Sequence, residues 1–183
     1  MFDTCTSSTS TIEVTFGGVQ VERLGLAPLS DRFSPTEIVE QMGRLNGWHQ
    51  FEDTLGVCRF DFTNADLGVQ AVNAVTGWDL SVQDALKVGR RISTLLRVWS
   101  FLHGMDPTKE RPSKRYGSVP IDGPAQGANI MPHWDSMLRN FRRLVGWDEL
   151  LGLPTESTLH ELGLEDLGPV VEQIRSERQS VTA

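Results

Sequence analysis

Cysteine is nearly absent from this chain: Cys5 and Cys58 are the only two in 183 residues. A disulfide-stapled scaffold is therefore disfavoured, and a complete metal site built from the chain's own thiolates is excluded. Long apolar runs are missing too, since no stretch approaches the ~18 consecutive apolar residues of a membrane helix. The opening residues, MFDTCTSSTSTIEV, lack a basic region followed by an apolar core, so no export leader is expected. The formal net charge is -7, which speaks against nucleic acid as a partner. There is no Gly-rich phosphate loop at a strand-to-helix junction, no nucleophile elbow around Ser7, Ser8 and Ser10, and no internal repeat. His49, His103, His133 and His160 fall on separate elements, none with a second His or Cys at ligand spacing, and are expected to be surface or helix-end histidines.

What is present fits one ordinary globular domain: hydrophobic residues make up 39% and charged residues 22%, too apolar for a disordered chain. The charge is uneven. Residues 87–143 carry 11 basic against 4 acidic side chains, and the segments on both sides are acidic. Two readings stand. The basic groups line solvated helix faces and pair with the acidic flanks, or they meet an anionic cofactor or an acidic partner.

The first 25 residues differ from the rest. Thr11-Ile12-Glu13-Val14-Thr15-Phe16 alternates, Gly17-Gly18 follows, and Val19-Gln20-Val21-Glu22 alternates again. This pattern predicts a short β element over 1–25. From residue 33 onward the pattern is helical. Ser34-Pro35-Thr36-Glu37 is a helix start, followed by Ile38, Val39, Met42 and Leu45 on one face, with Gly47 as the stop. A second helix spans about 65–75 and ends at Thr76-Gly77-Trp78. Ser81-Val82-Gln83-Asp84 opens the longest helix, with Ala85, Val88, Ile92, Leu95, Leu96, Trp99 and Leu102 as its apolar positions and Gly104 as its end. A Pro- and Gly-rich connection covers 105–127. A fourth helix carries Met131, Trp134, Met137, Leu138, Phe141 and Leu144 and stops at Gly146. A short turn over 159–162 and a last helix after Pro169 complete the chain. The expectation is a mainly α protein: a single helical domain over 30–176, the β element in front of it, and a frayed polar tail over 177–183.

One segment carries chemistry. Phe51-Glu52-Asp53-Thr54-Leu55-Gly56-Val57-Cys58-Arg59-Phe60 sits between two helices and is apolar enough for burial, yet it holds carboxylates and a thiol. A buried Asp53 needs hydrogen-bond donors, which a polar heterocycle can supply. Gly56 permits close approach of the backbone to a flat ligand. Cys58 reads either as a small buried core residue or as a soft metal ligand.

Asp53-Thr54-Leu55-Gly56-Val57-Cys58-Arg59-Phe60 resembles the Asp-x-x-Gly-Leu-Cys-x-Phe motif of the tungsten-containing aldehyde:ferredoxin oxidoreductases. Further stretches are similar to that family in the same order. They are Ala74-Val75-Thr76-Gly77-Trp78-Asp79, Gly89-Arg90-Arg91-Ile92, His103-Gly104-Met105-Asp106 and Pro112-Ser113-Lys114-Arg115-Tyr116. Gly146-Trp147-Asp148, Gly152-Leu153-Pro154-Thr155 and Leu159-His160-Glu161-Leu162-Gly163-Leu164 continue the series. The resemblance covers about residues 30–168, and Val57 replaces the family's usual Leu.

The resemblance implies a helical bundle like the family's C-terminal domain, packed against a sister domain across a tungsten (or molybdenum) bis-pterin with a 4Fe–4S cluster beside it. It implies that Asp53 contacts a pterin ring, that Leu55, Gly56 and Val57 line the cofactor, and that Cys58 is one cluster ligand. The other cluster ligands and the catalytic groups would lie outside this chain, so no catalytic residue is named. The chain is then expected to be the C-terminal part or a split subunit of an aldehyde-oxidising enzyme, inactive alone, with an upstream-domain chain and a ferredoxin-like carrier as partners in the cytoplasm. The alternative is a free-standing helical interaction module, or an inactive fragment, that no longer binds cofactor.

Overall fold

The computed structural model describes residues 2–6, 25–57 and 64–182. Its helices are α1 (Phe2–Thr6), α2 (Pro35–Leu45), α3 (Trp48–Thr54), α4 (Ala65–Thr76), α5 (Val82–Leu102), α6 (Trp134–Leu144), α7 (Glu156–Glu161) and α8 (Gly168–Thr182). The described residues contain no β-strand, only an isolated antiparallel bridge between Trp147 and Pro154. No described helix is long and apolar enough to cross a membrane. The two alternating runs expected to form the β element lie outside the described residues. Within that region Phe2–Thr6 is helical, so half-buried Cys5 sits on a helix and not in the extended segment expected for it. Its first residue, Phe2, packs against Trp134 and Phe141, with ring centroids 5.2 and 5.8 Å apart.

Local chemistry sets most helix ends. Ser34 Oγ accepts from the Glu37 N–H at 3.3 Å, with Pro35 in the first turn. The Glu37 carboxylate reaches back to the Ser30 hydroxyl (2.6 Å) and N–H (2.7 Å), and these bonds hold its pKa below the ordinary value. Asn64 caps α4, and Ser81 with Asp84 closes a capping box on α5. Helix α8 runs to Thr182, through the segment expected to fray.

Two expectations fail for a tertiary reason. Trp48–Thr54, read as part of a connection, is α3. It has no side-chain cap, and Trp48, His49, Gln50, Phe51 and Glu52 are all buried. Packing against α5 holds it in place. The two helices meet backbone to backbone: a Cβ on Gly89 of α5 would lie 1.7 Å from the Gly47 carbonyl oxygen. Gly47 therefore opens α3 in the left-handed conformation (φ 97°) instead of merely stopping α2.

The second failure concerns which side of α5 is inside. Its buried residues are Ala85, Leu86, Gly89, Ser93, Thr94, Arg97, Val98 and Phe101. The expected apolar stripe matches this face only in part: Ala85 is buried and Ile92 and Leu96 are half-buried, but Val88, Leu95, Trp99 and Leu102 are exposed, the last two by 57% each. On α4, Leu67 and Val75 likewise face outward.

Three apolar clusters hold the helices. Leu45, Trp48, Phe51, Ala65, Val69, Ala85 and Leu86 join α3 and α4 to the start of α5. Val98, Phe101, Leu153, Leu159, Leu162, Leu164, Val171 and Ile174 join the end of α5 to α7 and α8. Phe2, Val39, Met42, Trp134, Met137, Phe141 and Trp147 join α1, α2 and α6.

Buried charge ties the 105–127 connection down. Glu110 is 7% exposed and pairs with Arg97 (2.7 and 3.0 Å) and Arg142 (2.6 Å). Burial alone would raise its pKa, but the two guanidinium groups outweigh that and lower it. The surplus positive charge rests on the Phe101 and Trp147 rings, 5.1 and 4.7 Å from the Arg97 guanidinium carbon. The Arg97 Nε–H donates to the Gly152 carbonyl and one terminal Arg142 nitrogen donates to the carbonyls of Glu149 and Leu150, while Arg142 Nε is buried without a hydrogen-bond partner among the described residues. Two members of the basic island, Arg97 and Arg142, are thus internal. Arg90 and Arg91 donate to backbone carbonyls, and Arg111 pairs with Asp135. The solvated-face reading holds in part, with carbonyl groups and the island's own acids as partners.

Candidate functional site

The turn leaving α3 brings four of the five expected site residues together. Asp53 lies in the last turn of the helix. The Leu55 N–H donates to the Glu52 carbonyl at 3.0 Å, and the Gly56 N–H to the Asp53 carbonyl at 3.3 Å. Gly56 is left-handed (φ 67°), which releases the chain from the helix axis. Leu55 is half-buried against the first apolar cluster and anchors the turn. Asp53 and Gly56 are exposed, and Val57 is 43% exposed. Cys58 lies outside the described residues.

Burial was expected for the whole segment from Phe51 to Phe60. In the structure Phe51 and Glu52 are buried, while Asp53, Gly56 and Val57 are open. Among the described residues, a Cβ built on Gly56 meets no atom within 4 Å. A carboxylate is an acceptor of the kind that the N–H groups of a planar heterocycle would need here. The residues present fit one side of a heterocycle. They do not supply a metal site: no group of three or more His, Cys, Asp or Glu among the described residues is placed to hold an ion.

Beneath the turn lies a polar arrangement that the sequence reading missed. Glu52 is 1% exposed, and both its oxygens are engaged. Trp48 Nε1 donates to one at 2.7 Å, and His49 Nδ1 lies 2.5 Å from the other. His49 sits in the first turn of α3, a helix-end position as expected, but it is buried and paired and not at the surface. The i, i+3 and i+4 spacing of these residues was the available signal, and it carries meaning only once 48–54 is known to be helical. His103 does follow expectation: it caps α5, exposed, with its ring stacked on Trp99 at a centroid distance of 4.0 Å.

The other motif stretches hold the fold. Gly89 makes the backbone contact with Gly47. Asp148 binds the N–H groups of Leu151 (2.7 Å) and Leu153 (3.1 Å) and closes the loop before Thr155, which caps α7.

Residues 5–164 match the model of a family described as "Aldehyde ferredoxin oxidoreductase, domains 2 & 3". The chain belongs to this family. Similar relatives are the tungsten-containing aldehyde ferredoxin oxidoreductases of Pyrococcus horikoshii, 37% identical over 118 residues, and Pyrococcus abyssi, 38% identical over 120 residues. The Pyrococcus furiosus protein of the same name is 33% identical over 120 residues. Each match covers 62% of this chain and 19% of the relative's length. The helical architecture is the one the family resemblance implies.

Proposed function

We propose that this chain is the C-terminal part, or a split subunit, of an aldehyde ferredoxin oxidoreductase-like enzyme, with residues 30–176 acting as one helical domain. Its task is to close one side of a tungsten (or molybdenum) bis-pterin and to supply one ligand to a 4Fe–4S cluster. The observation that carries the reading is the open turn from Asp53 to Val57, where a carboxylate and an uncovered glycine backbone stand at the surface. The outward apolar residues of α4 and α5 support it, because such faces call for a cover of further protein.

When bound, the metal–pterin group would supply two-electron oxidation of an aldehyde to an acid, and the cluster would carry the electrons off one at a time. The chain's own contribution is positional. Asp53 accepts hydrogen bonds from the pterin ring. Gly56 admits the ring to van der Waals distance, and Leu55 and Val57 exclude water beside it. Cys58, as thiolate, binds cluster iron. The buried Trp48–Glu52–His49 arrangement keeps the end of α3 rigid under the turn. Basic side chains outside the internal network, Lys87, Lys114, Arg115 and Arg139 among them, offer a surface to an acidic ferredoxin-like carrier. A thiolate ligand places the assembly in a reducing cytoplasm.

The test is anaerobic affinity purification of the tagged chain from its native host, with tungsten, molybdenum and iron quantified. Co-elution of a larger cysteine-rich chain with about four irons per complex supports the reading, and Cys58→Ala then loses iron. A soluble, folded, metal-free chain eluting alone overturns it and leaves the free-standing helical module.

A further inference from the structure

A sizeable cleft lies away from the Asp53–Val57 turn. It has a volume of about 860 Å³ and opens between α1, α2, residues 118–133 and the first turns of α6. No residue of α3, α4 or α5 lines it. Its size falls within the range of small-ligand sites, roughly 300–1,000 Å³.

The chemistry of its walls is selective. Phe2, Met42 and Met137 are buried there, and Phe33, Ile38 and Ile130 add further apolar surface. The chain has 24 acidic side chains against 17 basic ones, yet among the described residues no Asp or Glu lines this cleft. Arg32 and His133 do. The Arg32 guanidinium carbon sits 5.3 Å over the Phe33 ring, at the boundary between apolar wall and solvent. It has no ion-pair partner among the described residues. An apolar body would be driven in by burial, and at the rim an anionic head would gain the attraction of the exposed guanidinium, which a neutral head lacks and a cationic head would oppose. A carboxylate matches one guanidinium with two parallel N–H donors. His133 adds favourable charge only when protonated.

We propose that this cleft binds an apolar monocarboxylate, with its tail among Phe33, Ile38, Met42 and Met137 and its carboxylate on Arg32. The site is independent of the cofactor reading, because the cleft shares no lining residue with the Asp53–Val57 turn.

The test is titration of the full chain with decanoate, by calorimetry or ligand-observed NMR, with decanol and decylamine as controls. Decanoate is expected to bind with Kd below about 1 mM and at least about tenfold more tightly than either control. Arg32→Ala should weaken decanoate by about tenfold while leaving decanol unchanged, and Arg32→Lys should restore part of the loss. Ile38→Trp should fill the cleft and abolish binding of both. Arg32 is exposed, so its replacement leaves the fold intact and decides the question even where Ile38→Trp does not fold. No decanoate binding at millimolar concentration, equal binding of decanoate and decanol, or an Arg32→Ala affinity equal to the parent's each overturns the proposal. None of these results bears on metal or iron content, so failure here is distinguishable from failure of the oxidoreductase reading.

Discussion

Replacing Glu110 by Gln removes the one negative charge between two buried guanidinium groups. Arg97 and Arg142 are 4% and 3% exposed, so water cannot take over the lost interactions. Breaking a buried ion pair by deleting one partner typically costs about 3–5 kcal/mol, because the remaining charge stays desolvated. With a urea m-value of about 2–3 kcal/mol/M, the midpoint should fall by about 1–2.5 M. Far-UV circular dichroism at pH 7 measures it. The pH dependence adds a second arm. The folded-state pKa of Glu110 is lowered from its ordinary value of 4.5. Its contribution is therefore fully present above about pH 4.5 and is lost as pH falls through the folded value. The gap between parent and Glu110→Gln should be constant at neutral pH and close in acid. A midpoint shift below about 0.4 M, or a gap that stays the same down to strongly acidic pH, would refute the reasoning that this carboxylate is ionised and holds the 105–127 connection.

Gly89→Ala should destabilise the chain by about 2 kcal/mol, seen as a Tm drop of about 4–8 °C, although alanine is the better helix former. An unchanged Tm would show that α3 and α5 do not meet at the 1.7 Å approach of that Cβ to the Gly47 oxygen. Trp99→Gln with Leu102→Gln should change stability by less than about 1 kcal/mol in total, since both side chains are more than half exposed, and should reduce aggregation of the isolated chain. A loss of several kcal/mol would mean that this face is closed within the chain's own fold.

Helix starts and stops were legible in the sequence because capping is a contact between near neighbours. Ser34 with Glu37, Asn64 with Leu67 and Ser81 with Asp84 all bond across three residues, and Gly77 and Gly146 end helices through their own backbone conformation. The candidate turn was legible for the same reason: Asp53, Leu55, Gly56 and Val57 are consecutive enough that any compact turn assembles them.

The face that α5 buries was not legible. Apolar spacing points to Ala85, Val88, Ile92, Leu95, Leu96, Trp99 and Leu102; of these Ala85 is buried and Val88, Leu95, Trp99 and Leu102 are exposed, whereas Gly89, Ser93, Thr94 and Arg97 are buried. A small residue is inside here because another backbone comes within reach of it, and an arginine is inside because Glu110 and two aromatic rings meet it there. Neither neighbour is local in the chain. The same holds for α3, a helix that exists through its packing on α5, and for the Glu52 site that forms only once 48–54 is helical. Sequence by itself therefore determined the helical class, most helix ends and the position of the candidate turn, all products of short-range bonds. Tertiary structure alone decided which faces are buried, which charges are internal and which side of the turn stands open, because those depend on what each helix meets.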